Sequence, residues 1–368
     1  MVINCYSHDL PSKTDIGYAT AVELRVNNTV IHTGNYHGSF YGLRDRVVTY
    51  MRDYDLTYCT VQLTADGNTV EEYNVLYADY SGGRQNHHNG SDFLSNITAQ
   101  RIPYNAPFLL ATRRYSRITL HVLTGIEHVI NYIPCIEVVF RDPDTEETES
   151  HKLRLVQDED YTFDEQQGIY FINTSLDRFY QIAMEENISI DERLEPVEVH
   201  IAQSHPFTWI VVRDKTFYLS DDDALNLYYY RNCYNCWESV AFPGALERKR
   251  EVKEQIAELY DRTLYPYRKE VTDEYTLHIP AMFEQEEIAL RELIASRMVI
   301  EANGLPTHPD LLTNRRILIL DSDCYYTTER GALLKGEIRY RYTNPDLFPS
   351  FNRYNTMQNM EGSQSLLQ

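Results

Sequence analysis

Thr57-Tyr-Cys-Thr-Val-Gln-Leu-Thr-Ala-Asp-Gly-Asn-Thr-Val-Glu-Glu-Tyr-Asn-Val-Leu-Tyr77 is the most legible stretch of this 368-residue chain. Apolar and polar residues alternate through 57–64 and again through 70–77, the period of a half-buried strand. Between them stands Ala65-Asp-Gly-Asn68. Asp-Gly supplies the positive φ angles of a tight hairpin turn. The stretch therefore predicts two antiparallel strands and a mainly β fold.

The flanking sequence extends this unit. Residues 18–26 and 29–32 read as another strand pair, turned at Asn27-Asn28. Between the two pairs, Leu43, Val47, Val48 and Met51 fall at helical spacing within 41–54. A small α+β domain is expected over 1–80. The polar run 81–91, SGGRQNHHNGS, marks its end. Downstream, 115–123, 135–140, 152–156, 195–200 and 208–212 read as strands, with an acidic turn at 142–149. Their spacing predicts a β-sandwich or barrel over 92–215. Asp221-Asp-Asp223 before 224–230 reads as a turn or helix start. The stretch 246–259 is rich in helix formers but shows no stripe.

A third, α+β domain is expected over 216–343, with strands at 317–320 and 336–342. It holds one clear amphipathic helix, 283–299, in which Phe283, Glu287, Leu290, Ile294 and Met298 fall near one face. Residues 344–368 lose their apolar pattern and read as a flexible arm that orders on a partner. The fold class expected is mainly β with α+β elements, in several sandwich- or barrel-like domains.

Composition narrows the function classes. Hydrophobic residues make up 43% and charged residues 24%, enough for real cores. The net charge of −21 repels phosphate backbones, so nucleic acid is not expected as a bound partner. DNA sliding through an acidic bore is compatible with that charge. No apolar run reaches the roughly 18 residues of a membrane helix, so no membrane partner is expected. The first residues lack the basic and apolar regions of a secretory leader, which predicts cytosolic synthesis. Six scattered cysteines do not make a disulfide framework.

Thirty tyrosines are the unusual number. Tyrosine suits half-buried strands and wet protein or glycan contacts. Trp209, Trp237, Tyr228, Tyr229 and Tyr230 are candidate glycan or partner contacts. Phe348, Phe351 and Tyr354 are candidate inter-subunit contacts on the arm. The chemistry-bearing motifs are thin. Cys233-Tyr-Asn-Cys236 has no second pair to complete a zinc site and no thioredoxin-like context, so its cysteines read as structural. His87, His88 and Asp92 read as a solvated loop. Asp321-Ser-Asp323 reads as a turn after a strand. The acids Asp158, Glu159 and Asp160 carry little information in so acidic a chain. There is no phosphate loop, nucleophile elbow or H-E-x-x-H. Neither an enzyme nor a cofactor or metal is expected.

Four local features carry a resemblance. They are Leu43-Arg-Asp-Arg-Val-Val-Thr-Tyr-Met51 with the hairpin behind it; Asp92-Phe-Leu94; Asn232-Cys-Tyr-Asn-Cys-Trp-Glu238 with Leu246-Glu-Arg-Lys-Arg-Glu-Val252; and Leu293-Ile-Ala-Ser-Arg-Met-Val299 followed by Ile317-Leu-Ile-Leu-Asp-Ser322 and Ile338-Arg-Tyr-Arg-Tyr342. In this order they resemble tail-region proteins encoded by phages and prophages of Bacteroidota, over most of 18–343. The chain departs from the pattern at Cys233 and Cys236, where small or apolar residues are expected. The resemblance implies a virion protein of the distal tail, hub or baseplate, made in the host cytoplasm. Its implied partners are copies of itself in a ring and other tail proteins of tube, fibre or adaptor type. A glycan-binding adhesion module of the tail, contacting host surface glycan, is the alternative, and a hydrolase is a more distant one.

Overall fold

The computed structural model describes residues 2–35, 38–79, 94, 97–113, 132–165, 167–204, 211–220, 225–258, 264–282, 284–303, 309–325 and 334–343. It is mainly β with α+β elements, arranged in several separate sheets. None of these sheets closes into a barrel among the described residues.

The first unit contains β1 (Val2–Tyr6), β2 (Thr14–Asp15), β3 (Ala21–Val26), β4 (Thr29–Asn35), β5 (Phe40–Tyr41), α1 (Arg44–Asp53), β6 (Tyr58–Ala65) and β7 (Asn68–Leu76). Its five-stranded sheet runs β1-β7-β6-β3-β4. The hairpin turns at Asp66 and Gly67, with φ of 48° and 78°. Asn27 and Asn28, at 47° and 63°, do the same between β3 and β4. Both turns have the handedness that matches strand twist. The Asp66 carboxylate also accepts from the Ala21 and Thr20 amides at 2.8 and 3.1 Å, locking the hairpin to β3. Helix α1 seals the sheet with Val47 and Met51, packed in one core with Leu24, Leu63 and Val75. An addition the sequence reading lacked is β1, which joins β7 in parallel.

The second unit contains β8 (Ala99–Pro103), β9 (Phe108–Arg113), β10 (Ile133–Arg141), β11 (Thr148–Arg154), β12 (Tyr161–Asp164), β13 (Ile169–Thr174), α2 (Leu176–Glu185), β14 (Glu195–Ser204) and β15 (Val211–Ser220). Two sheets, β11-β10-β14-β15-β8 and β12-β13-β9, share one apolar core around Phe108, Phe140, Phe179 and Phe217. Strand β8 pairs in parallel with β15, Ala99 opposite Thr216. Helix α2 was not foreseen, although its signals are present. Ser175 caps it by accepting from the Arg178 amide, and Leu176, Phe179, Ile182 and Ala183 line its buried face.

The third unit contains β16 (Leu225–Arg231), β17 (Trp237–Pro243), β18 (Ala245–Glu258), β19 (Leu264–Met282), α3 (Glu284–Ala295), β20 (Val299–Glu301), β21 (Arg316–Tyr325) and β22 (Leu334–Tyr342). They form one sheet, β17-β16-β20-β21-β22-β19-β18. The helix expected over 283–299 stops at Ala295, and Val299 already belongs to β20. The turn or helix start expected at Asp221-Asp-Asp223 lies outside the described residues, and Leu225–Arg231 behind it forms strand β16. Leu227 and Tyr229 enter the core of the second unit, while Tyr228 and Tyr230 enter the core under α3. A strand covered on both faces reads as a continuous apolar run, which hides its period. The Asp321-Ser-Asp323 stretch lies inside β21 rather than in a turn, with Asp321 paired to Arg339 at 2.6 Å.

The expected boundary at 215/216 falls within β15, and the core around Phe217 includes Leu225, Leu227, Ala241 and Ile300 from the third unit. Arg101 on β8 also holds Glu286 on α3 through two hydrogen bonds, 2.5 and 2.7 Å. No helix among the described residues is long and apolar enough to cross a membrane. The expected strand at 115–123, the loop 81–91 with His87, His88 and Asp92, and the arm 344–368 lie outside the described residues.

Candidate functional site

The candidate contact residues separate sharply. Tyr228, Tyr229 and Tyr230 are buried, so none is offered on the surface of the protomer. Alternation along β16 sends them to opposite sides. The Tyr230 hydroxyl donates to Glu292 Oε2 at 2.5 Å, and Tyr228 donates to the Tyr340 hydroxyl at 3.5 Å. Burial raises the phenols of Tyr228 and Tyr229 well above their ordinary range. Their work is to fill two cores at once, which explains part of the high tyrosine content. Trp209, Phe348, Phe351 and Tyr354 lie outside the described residues.

Trp237, at the start of β17, is only half-buried. The Arg231 guanidinium lies 4.1 Å from its ring centroid, and its indole N–H donates to Asp310 Oδ1 at 3.2 Å. These contacts fix the ring plane. The ring borders a cleft of about 220 Å³ whose walls include Leu109, Phe171, Tyr161, Asp158 and Glu159. Arg178 ties down the acids on one side, meeting Asp160 at 2.8 Å and Glu159 at 2.6 Å. An aromatic face beside carboxylates and a phenol has the chemistry to stack on and hydrogen-bond to a hydroxylated ring.

The cysteine motif forms the turn between β16 and β17. Asn232 builds that turn, its Oδ1 accepting from the Tyr234 and Cys236 amides at 3.0 and 3.1 Å. Its Nδ2 donates to the Leu94 carbonyl at 3.1 Å. Asn235 supplies the positive φ of 63°. The turn seats the first unit: the Asp79 amide donates to the Cys233 carbonyl at 2.8 Å. The buried Cys236 thiol lies 3.9 Å from Thr57 Oγ1, and burial pushes it up to about 12. Burial also raises the thiols of Cys5, to about 11, and of Cys59 and Cys135, to about 12. No group of three or more metal-ligating side chains occurs among the described residues.

Strand β18 is exposed along most of 245–256, and it pairs with β19. Among the described residues, strand β22 pairs with β19 from Tyr275 onward. Residues 249–258 and 264–274 thus run on as a two-stranded ribbon. At about 3.3 Å per residue the ribbon reaches on the order of 30 Å past the sheet. Leu246, Val252, Ile256, Leu264 and Val271 are all exposed along this hairpin. Arg248 and Arg250 both grip Asp273, at 2.5 and 2.8 Å, and hold that carboxyl down at about 2. An isolated two-stranded ribbon is marginal in water, so these ion pairs and its partners matter to its order. The sequence left 246–259 undecided. A strand exposed on both faces carries charge at odd and even positions alike and so shows neither period.

No protein-family model matches this chain, and no curated protein matches it.

Proposed function

We propose that this chain is a structural component of a phage virion tail. In this reading it is the protomer of a ring at the distal tail, hub or baseplate that links the tail tube to adhesion devices. The observation that supports the reading best is the ribbon of 249–258 and 264–274. It runs past the part of β19 that β22 covers and exposes Val252, Ile256, Leu264 and Val271, apolar side chains that a neighbouring copy would bury. The net charge of −21 fits a ring that DNA passes without sticking. The test is the mass of the purified full chain in solution, together with negative-stain imaging. Closed rings are expected, and a strictly monomeric chain across the micromolar range overturns the reading. Tail-fraction proteomics on particles of the encoding phage tests the location separately.

A second reading, a glycan-binding module, is favoured by the half-buried Trp237 on the rim of the cleft with Tyr161 and Asp158. Trp237→Ala should abolish any binding detected on a glycan array. Binding that survives this change removes the cleft from consideration.

A further inference from the structure

Strand β18 is the last strand of the seven-stranded sheet. Among the described residues no strand pairs with its outer edge, which carries a row of backbone N–H and C=O groups. The opposite end of the sheet is β17, whose residues from Glu238 to Pro243 are buried against neighbouring strands. Head-to-tail continuation of this sheet from copy to copy is therefore closed. A strand meeting its own equivalent across a two-fold axis is not.

We infer that β18 pairs antiparallel with β18 of a second copy, centred on Val252. The order of charges on the strand selects this register. With Val252 opposite Val252, Glu251 faces Lys253 of the second copy and Arg250 faces Glu254, each pair occurring twice by symmetry. No like charges meet. The two-fold axis must pass through a residue facing its own copy, so the neighbouring registers are centred on Glu251 or Lys253. The first sets Glu251 against Glu251 and Lys249 against Lys253, the second Lys253 against Lys253, and both repel. Edge charges that merely guard against aggregation have no need to alternate in a self-complementary order.

The faces agree with the same register. Val252 lies opposite Val271 within the hairpin. Both are exposed in the protomer. Pairing at Val252 would carry that apolar row across the junction, Val271 and Val252 of one copy meeting Val252 and Val271 of the other. Arg250, bound to Asp273 at 2.8 Å, would reach Glu254 on the same face. On the opposite face, Glu251 and Lys253 already lie 3.8 Å apart within the strand, Lys253 exposed and Glu251 half-buried. The junction would turn two marginal ribbons into one four-stranded sheet with an apolar row, the size at which a sheet becomes independently stable.

This inference rests on the ribbon being an assembly element and not on the tail setting. The test uses the full chain and three variants, with association measured by analytical ultracentrifugation and folding checked by circular dichroism. Lys253→Glu and Glu251→Lys each set like charges opposite one another twice, and each should weaken dimer formation about tenfold or more. The double variant Glu251→Lys/Lys253→Glu restores both pairs and should dimerise like the parent. A monomeric parent, single variants that associate normally, or a double variant as weak as the singles overturns the pairing. Rings that persist in Lys253→Glu would sink the pairing and leave the ring reading standing. Dimers that follow the charge-swap pattern but never close into rings would do the reverse.

Discussion

Lys215 Nζ lies 2.5 Å from Glu238 Oε1, with the two side chains 0% and 1% exposed. The pair ties β15 to β17 and so joins the second unit to the third. Burial pulls the Lys215 ammonium below its ordinary range, and Glu238 pulls it back. The Asn232 amide donates to the second Glu238 oxygen at 3.3 Å. Desolvation consumes most of the attraction in such a pair, so its presence stabilises little, but breaking it is costly. Glu238→Ala should lower unfolding stability by about 3–5 kcal/mol, read by chemical denaturation. Lys215→Met combined with Glu238→Leu should recover most of that loss. A loss of under about 1 kcal/mol in the single variant would contradict the account.

Asn232 should prove nearly as sensitive. Its side chain satisfies two buried amides and the Leu94 carbonyl. Asn232→Ala orphans all three, at about 1–3 kcal/mol for each buried group left unmade. Because this turn seats the first unit, amide exchange should rise at Asp79 and along β7 as well as locally. Exchange confined to the turn would show that the first unit is held by other contacts.

Gly244 stands where β17 ends and β18 begins, with φ of 142°. A Cβ there would come within 1.9 Å of the His278 carbonyl oxygen. Backbone strain alone costs about 1–3 kcal/mol at such a position, before the clash is relieved. Gly244→Ala should therefore lower the midpoint of thermal unfolding and loosen strand β18, which starts one residue later. Unchanged thermal unfolding would show that the corner relaxes freely.

His200 should give the fold a mildly acidic limit. Its Nδ1 lies 2.8 Å from Thr216 Oγ1, and Nε2 lies 3.3 Å from Glu198. Burial lowers its basicity, with Arg213 adding to this and Glu137 and Glu198 opposing it. A base whose folded affinity for protons is depressed contributes stability that is complete above the unfolded value, about 6.5. That contribution is lost as pH falls through the folded value below it. Stability should decline as pH drops below about 6.5, and His200→Gln should flatten that part of the profile. A profile identical in the variant would assign the decline to other groups.

How much of this was legible follows from where each residue sits. The hairpin at Asp66-Gly67 and the helix bearing Val47 and Met51 were readable because each has one wet face and one dry face. Strand β16 was not, since Leu227 and Tyr229 face one core while Tyr228 and Tyr230 face another. Strand β18 failed for the opposite reason, with exposed residues on both faces along most of its length. Helix α2 was within reach, given the Ser175 cap and the spacing of Leu176, Phe179 and Ile182. Of the candidate contacts, Trp237 alone stands where a ligand could meet it among the described residues. Tyrosine content predicts aromatic surface and aromatic core equally well, and Tyr228, Tyr229 and Tyr230 fell to the core.

The parallel pairing of β8 with β15 has a consequence in time. Ala99 leaves the ribosome over a hundred residues before its partner Thr216. At typical synthesis rates of about 5–20 residues per second, β8 must wait on the order of ten seconds for that neighbour. The nascent chain carries an open strand throughout that interval. A chaperone that shields β8 until Thr216 emerges would then raise the yield of correctly folded protein without changing the stability of the finished fold.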